Sequence, residues 1–250
     1  MTEELSFWDH LDVLRGCLWR VLLAVTIGGI AAFCMKEQMF NIVLAPCHGD
    51  FITYRLLFPS MPGGQLHLIN TGLAEQMMIH LKVALCMGVL VASPYILYVL
   101  FGFISPALYA NERRYSVRLT LAAYIMFIVG LLVNYLLIFP LTVRFLGTYQ
   151  VSADIDNMLT ISSYVDTMLM MSLVFGIVFE IPVLSWLMAR FGLLRSEWMS
   201  HYRRHAFVAI LIVAAVITPT ADMFTLLVVS LPIWLLYEIS IILVRYVEKN

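Results

Sequence analysis

Apolar residues run almost unbroken through six stretches of the chain, roughly 17–33, 77–103, 117–143, 164–188, 206–217 and 223–244. A helix needs about 20 mostly apolar residues to cross a bilayer, within a range of about 17–25. Five stretches meet that length. The fifth in order does not: between His205 and Thr218 lie only twelve apolar residues, about 18 Å of helix at 1.5 Å per residue. Such a segment either thins the membrane locally or is shielded by its neighbours. Before the first stretch, Phe7, Leu11, Leu14 and Leu18 recur at i, i+4, i+7 and i+11 behind Ser6, while Asp9, Asp12 and Val13 fall on the opposite side. That pattern predicts an amphipathic helix on the membrane surface, feeding the first span.

The segments between spans differ in kind. Residues 36–75 form the longest weakly apolar region and carry Pro46, Pro59, Pro62 and Gly63-Gly64. They predict an external cap of short helices and turns, with helical pieces near 40–44 and 71–78. His80 and Lys82 sit at the outer edge of the second span, where long side chains snorkel to water. Asn134, Tyr135 and Pro140 predict a kink toward the outer end of the third span. Glu238 reads as an interfacial carboxylate near Arg245.

Composition agrees with this pattern. Hydrophobic residues make up 62% and charged ones 12% of 250, with mean hydropathy +0.92; soluble domains average about 45–50% and 25%. The chain is therefore expected to be a polytopic, all-α membrane protein folded as a single domain over 1–250. Net charge is −1, so no basic field points to nucleic acid. Eleven cations (Arg15, Arg20, Arg113, Arg114, Arg118, Arg190, Arg195, Arg203, Arg204, Arg245, Lys249) flank one side of the spans. Four (Lys36, Arg55, Lys82, Arg144) fall toward the other. This positive-inside bias predicts cytoplasmic termini. The start is acidic, unlike a cleavable signal peptide. Cys17, Cys34, Cys47 and Cys86 show no metal or redox spacing, and no cofactor or metal site is expected.

One group stands out. Glu180 lies deep in the fourth span, ten residues from Arg190 and so about 15 Å from the charged edge. An ionisable side chain at such depth costs at least about 2.5–3.5 kcal/mol and should face other helices or a wet cavity. It is either a packing group bonded to a neighbour or a recognition site inside the membrane.

Several signatures together resemble the TatC family, the core subunit of the twin-arginine protein translocase. They are FWDHLDVLR at 7–15, the Ala45-Pro46 turn, FISPALYANERR at 103–114, NYLLIFPL at 134–141, FGIVFEIPV at 175–183, TPTAD at 218–222 and SLPIWLLYEIS at 230–240. The resemblance covers almost the whole chain in order. It implies a receptor, not an enzyme, in the cytoplasmic (inner) membrane. Such a receptor recognises twin-arginine signal peptides of folded cargo and recruits single-span TatA-type and TatB-type partners. Transport uses the proton-motive force, and the subunit is expected to be homo-oligomeric within the complex.

Two guanidinium groups call for carboxylates that accept in bidentate geometry. By resemblance Glu112 supplies one, beside Phe103. The family's second carboxylate, in its HLxELR motif, falls on Val13, so Asp12 or Asp9 is expected to replace it; Arg15 remains and the second basic position is Cys17. Glu180 matches the family's intramembrane glutamate. Together with Thr225 and Ser230 it is expected to dock a partner helix. Asp222 and Pro46 match loop residues for which a helix cap and a turn are equally good explanations. The alternative from another class is a proton-coupled small-solute transporter using Glu180 with Asp166 and Glu238. Against it, no repeat relates the first three spans to the last three.

Overall fold

The computed structural model describes residues 7–57, 66–104, 113–149, 158–218 and 222–249; side chains at 7–11, 103–104 and 113–116 are outside that description. The chain is almost wholly helical. In order come α1 (Phe7–Cys34), α2 (Lys36–Leu44), a 3₁₀ turn (Ala45–Cys47), α3 (Ile52–Leu57) and β1 (Leu68–Ile69). Next are α4 (Glu75–Ile104), α5 (Arg113–Val133), a π-helical turn (Asn134–Ile138), α6 (Phe139–Thr148) and β2 (Leu159–Thr160). Then follow α7 (Ile161–Val178), α8 (Ile181–Arg190), α9 (Ser196–His201), α10 (Arg203–Ile217) and α11 (Met223–Lys249).

Among the described residues, five helical runs are long and apolar enough to cross a membrane: Asp12–Cys34, Glu75–Gly102, Val117–Thr148, Ile161–Arg190 and Met223–Lys249. They coincide with five of the expected spans. The sixth, α10, has 15 residues, about 22 Å of helix, and is as short as its sequence predicts. The amphipathic start is not a separate element, because α1 runs without interruption from Phe7 to Cys34.

Contacts divide the chain into two compact units, Met1–Phe40 with Met77–Tyr124, and Asn41–Gln76 with Ile125–Asn250. In the first, α1 and α4 meet through glycine. A Cβ on Gly88 would stand 2.6 Å from the Gly29 nitrogen and 2.6 Å from the Val25 carbonyl oxygen. Only hydrogen at these positions lets the backbones touch. His80 stacks on Phe33, with ring centroids 4.0 Å apart.

In the second unit, α5 and α7 are pressed together in the same way. A Cβ on Gly130 would lie 2.7 Å from the Phe175 carbonyl oxygen, and one on Gly176 would lie 2.5 Å from the Phe127 ring. The expected cap is described over residues 36–57 and 66–75. Besides α2 it holds α3, and β1 pairs in parallel with β2, Leu68 opposite Leu159. Of the two helical pieces expected there, the first is the end of α2, and the second is the start of α4 at Glu75. Glu75 fixes that start by accepting hydrogen bonds from the backbone N–H groups of Thr71 and Gly72 at 2.9 and 2.8 Å.

Candidate functional site

The fourth apolar stretch is two helices rather than one. Pro182 has no N–H to give the Val178 carbonyl, and its ring crowds that carbonyl. The chain turns at Phe179–Glu180, and α8 restarts with Pro182 in its first turn. Glu180 N–H donates to the Ile177 carbonyl at 3.0 Å, and the Glu180 carbonyl accepts from Leu184 N–H at 2.9 Å. Its backbone is therefore satisfied. Its side chain is not: the residue is 7% exposed, and its two carboxyl oxygens are buried with no hydrogen-bond partner among the described residues.

Two helical turns earlier, Ser172 Oγ accepts a hydrogen bond from Asn134 Nδ2 at 3.0 Å. Asn134 is fully buried in the π turn, and its Oδ1 has no hydrogen-bond partner. The π turn closes with Phe139 N–H on the Asn134 carbonyl, five residues back. The expected kink is thus a π turn followed by a restart at Pro140. Proline leaves the Leu136 carbonyl without its helical donor, and Thr53 Oγ1 of α3 donates to that oxygen. The cap and the kink are one assembly. Tyr54 OH reaches the carbonyls of Pro46 at 3.0 Å and Pro140 at 3.2 Å. Tyr135 OH donates to the Ile42 carbonyl at 2.8 Å, and Arg144 lies over the Tyr54 ring, 5.2 Å from its centroid. Burial, then the neighbouring Cys47, pushes the Tyr54 hydroxyl up to about 12, against the lowering effect of Arg144. Burial likewise raises the Cys47 thiol.

At the other end of this unit, Arg203 pairs with Glu238 at 2.9 Å. This corrects the expected Glu238–Arg245 neighbourhood. Arg203 opens α10 where that helix packs on α11, whereas Arg245 is seven residues along the same helix, about 10 Å away. Glu248 accepts from Ser196 N–H at 2.8 Å and from the Ser196 hydroxyl, so the last turn of α11 caps α9. Tyr237 OH adds a bond to the Met199 carbonyl at 2.8 Å.

The chain's family is decided by a match that spans nearly all of it. The family model for Sec-independent protein translocase protein (TatC) matches residues 9–232. The chain belongs to the TatC family. A TatC from Desulforapulum autotrophicum is 36% identical over 248 residues, covering 99% of this chain and 87% of the relative. TatC proteins of Deinococcus radiodurans and Aquifex aeolicus are 31% and 32% identical, over 95% and 97% of this chain and 85% and 95% of their own. The crystal structure of the twin-arginine translocase receptor TatC matches with a TM-score of 0.80 at 30% identity, covering 96% of this chain and 99% of that one. A second crystal structure, in DDM, matches at 0.79 and 31%, covering 94% and 98%. The chain is thus a multi-pass membrane component of the Sec-independent, twin-arginine translocase. The small-solute transporter alternative finds no support in these relatives.

On this TatC-family chain the residues expected to bind a signal peptide fare differently. Glu112 lies outside the described residues, and Phe103 is in α4 and Asp9 in α1 with side chains also outside them. Asp12, Val13 and Arg15 are exposed on α1. On the docking side, Glu180 is buried as described. Thr225 and Ser230 point inward, 0% and 5% exposed. The reason is Asp222, which caps α11: its Oδ2 accepts from Thr225 N–H at 2.8 Å and Thr225 Oγ1 at 2.9 Å. Ser230 Oγ donates to the Leu227 carbonyl at 3.3 Å. Pro46 is buried in the 3₁₀ turn, its carbonyl held by Tyr54. Sequence reasoning missed Thr53 and Tyr54; the signal was Pro140, which frees a carbonyl that some donor must reach.

Proposed function

We propose that this chain is the signal-peptide receptor of a twin-arginine translocase in the cytoplasmic membrane, with both termini cytoplasmic and no catalytic chemistry of its own. The observation that carries the reading is the likeness of the chain, over 96% of its length, to the twin-arginine translocase receptor TatC at 30% identity. Glu112 accepts one guanidinium of the signal peptide. Asp12, exposed one residue before the family's carboxylate position, and Asp9, one turn back, supply the charge that Val13 lacks. Phe103 and Arg15 flank that surface.

Glu180 serves a second contact. A buried carboxyl with no internal partner offers a hydrogen bond to a polar residue on an incoming single-span helix of TatA or TatB type. Such a bond contributes about 0.6–2 kcal/mol, enough to orient a helix but not to hold it. Asp222 and Thr225 support that docking surface from behind by fixing the start of α11, and Ser230 lies further along the same helix. The chain acts as one domain, in several copies, and passes folded cargo using the proton-motive force.

The test is photocrosslinking in membranes from a probe at Phe103 to a signal peptide bearing Arg-Arg. Labelling that disappears with Lys-Lys, and again in the Glu112→Gln, Asp12→Asn, Asp9→Asn protein, is the expected result. Equal labelling of both peptides, or full labelling of the triple variant, overturns the assignment.

A further inference from the structure

The face of α1 beyond its glycine contact with α4 carries a feature that signal-peptide recognition does not use. Trp19, Arg20, Leu22, Leu23, Ile27 and, from α4, Tyr95 line an apolar groove of about 650 Å³ with Ala24 and Thr26. That volume lies within the range of small-molecule pockets, about 300–1,000 Å³. The glycine pinch explains the groove. The helices touch at Gly28 and Gly88, whereas a Cβ on Gly16 or Gly102 would meet nothing within 4 Å. Seven residues from the pinch on α4 stands Tyr95, and the groove opens there.

The lining is ordered by chemistry along its length. One end holds Arg20, Trp19 and the Tyr95 ring, the residue types that sit at the membrane–water boundary. The other end is Leu22, Leu23 and Ile27, each more than half exposed. Thr26 turns its hydroxyl onto the Leu22 carbonyl at 2.8 Å, so it presents a methyl group and leaves no polar demand in the apolar half. From Trp19 to Ile27 the groove runs about 12 Å, most of one leaflet of a ~30 Å hydrocarbon core. No carboxylate lines it, and Arg20 makes no ion pair among the described residues.

We propose that this groove seats one anionic phospholipid, its phosphate against Arg20 between Trp19 and Tyr95 and one acyl chain along Leu22, Leu23 and Ile27. A charge at one end and hydrocarbon at the other match such a lipid. A partner helix would instead find a cation at its contact with no acid opposite.

The test is native mass spectrometry of the full chain released from bilayers of equal phosphatidylglycerol and phosphatidylcholine. The wild type retains one phosphatidylglycerol in at least fivefold preference. Arg20→Gln brings that preference to parity, Arg20→Lys keeps most of it, and Ala24→Trp, which fills the groove, loses retention of both lipids while helical content is unchanged. Equal retention of both lipids by the wild type, or retention unaltered in Arg20→Gln and Ala24→Trp, overturns the proposal. So does a photoprobe at Leu23 that labels a single-span protein rather than lipid.

Discussion

Pro140 and Pro182 each interrupt an apolar span, and the two breaks end in opposite states. At Pro140 the freed Leu136 carbonyl receives the Thr53 hydroxyl, and Tyr54 holds the Pro140 carbonyl at 3.2 Å. At Pro182 the turn brings Glu180 inside and leaves both of its carboxyl oxygens without a hydrogen-bond partner among the described residues. Buried polar groups are nearly always paired, so an unpaired one is either a defect or a place kept for something else. At the first break the freed carbonyl is paired from within the chain, although Asn134 Oδ1 in the same turn has no partner among the described residues. The second keeps a buried carboxyl with no hydrogen-bond partner among the described residues, the group proposed above to serve association. The contrast lies in a freed carbonyl that is paired at Pro140 and a carboxyl that is not paired at Pro182, rather than in the presence of proline.

The largest effect should come from the open break. Glu180→Ala is expected to reduce capture of a single-span partner, and with it export of twin-arginine cargo, by about threefold to thirtyfold. It should leave stability equal or slightly higher, because a buried unpaired carboxyl costs free energy. Unfolding in micelles and export by cells read the two arms. A Glu180→Ala chain that unfolds early but exports normally would reverse the comparison.

Tyr54→Phe should show the opposite pairing. The Pro46 and Pro140 carbonyls lose the single O–H they share, at about 1–3 kcal/mol for leaving a buried group unsatisfied, while partner capture by Glu180 is kept. The hydroxyl also predicts a pH dependence. Its folded value is near 12 against 10.0 for an ordinary tyrosine. Above pH 10 the unfolded chain has lost this proton while the folded chain still holds it, so stability falls as pH rises from about 10 to about 12. Tyr54→Phe should lack that fall. Thr53→Val comes next, at about 1 kcal/mol, since a single net hydrogen bond is removed; Thr53→Ser should restore it.

Most of the fold was legible because its signals are local. Runs of apolar residues mark the spans, and the shortness of 206–217 already announces α10. Pro140 marks one break, whereas the stretch holding Pro182 reads as one span, and the Asp222 to Thr225 spacing is that of a helix cap. What lay hidden depends on distant pairing. Thr53 and Leu136 are 83 residues apart, and two-residue strands such as β1 and β2 carry no alternation to detect. The partner of Glu238 is set by how α10 packs on α11, which the distribution of charge along one helix does not encode. Of the candidate site, Glu180 was legible from depth alone, whereas the inward turn of Thr225 follows from the cap at Asp222.

The smallest expected effect tests whether satisfaction is the right criterion. Pro94 lies inside α4, yet α4 does not break, although its freed carbonyl belongs to Leu90. Ser93 Oγ donates to that Leu90 carbonyl at 2.7 Å. A hydroxyl from the adjacent residue thus does for Pro94 what Thr53 does for Pro140 from across the unit. Because the donor is local, its removal should cost less, about 0.5–1 kcal/mol, and Ser93→Ala should keep α4 continuous with export unchanged. If Ser93→Ala instead opened α4 as far as Pro182 opens the α7–α8 turn, the continuity of α4 would hang on one hydroxyl. Pro182 would then break its helix for want of such a donor, and Ile181, the residue before it, would be where to install one.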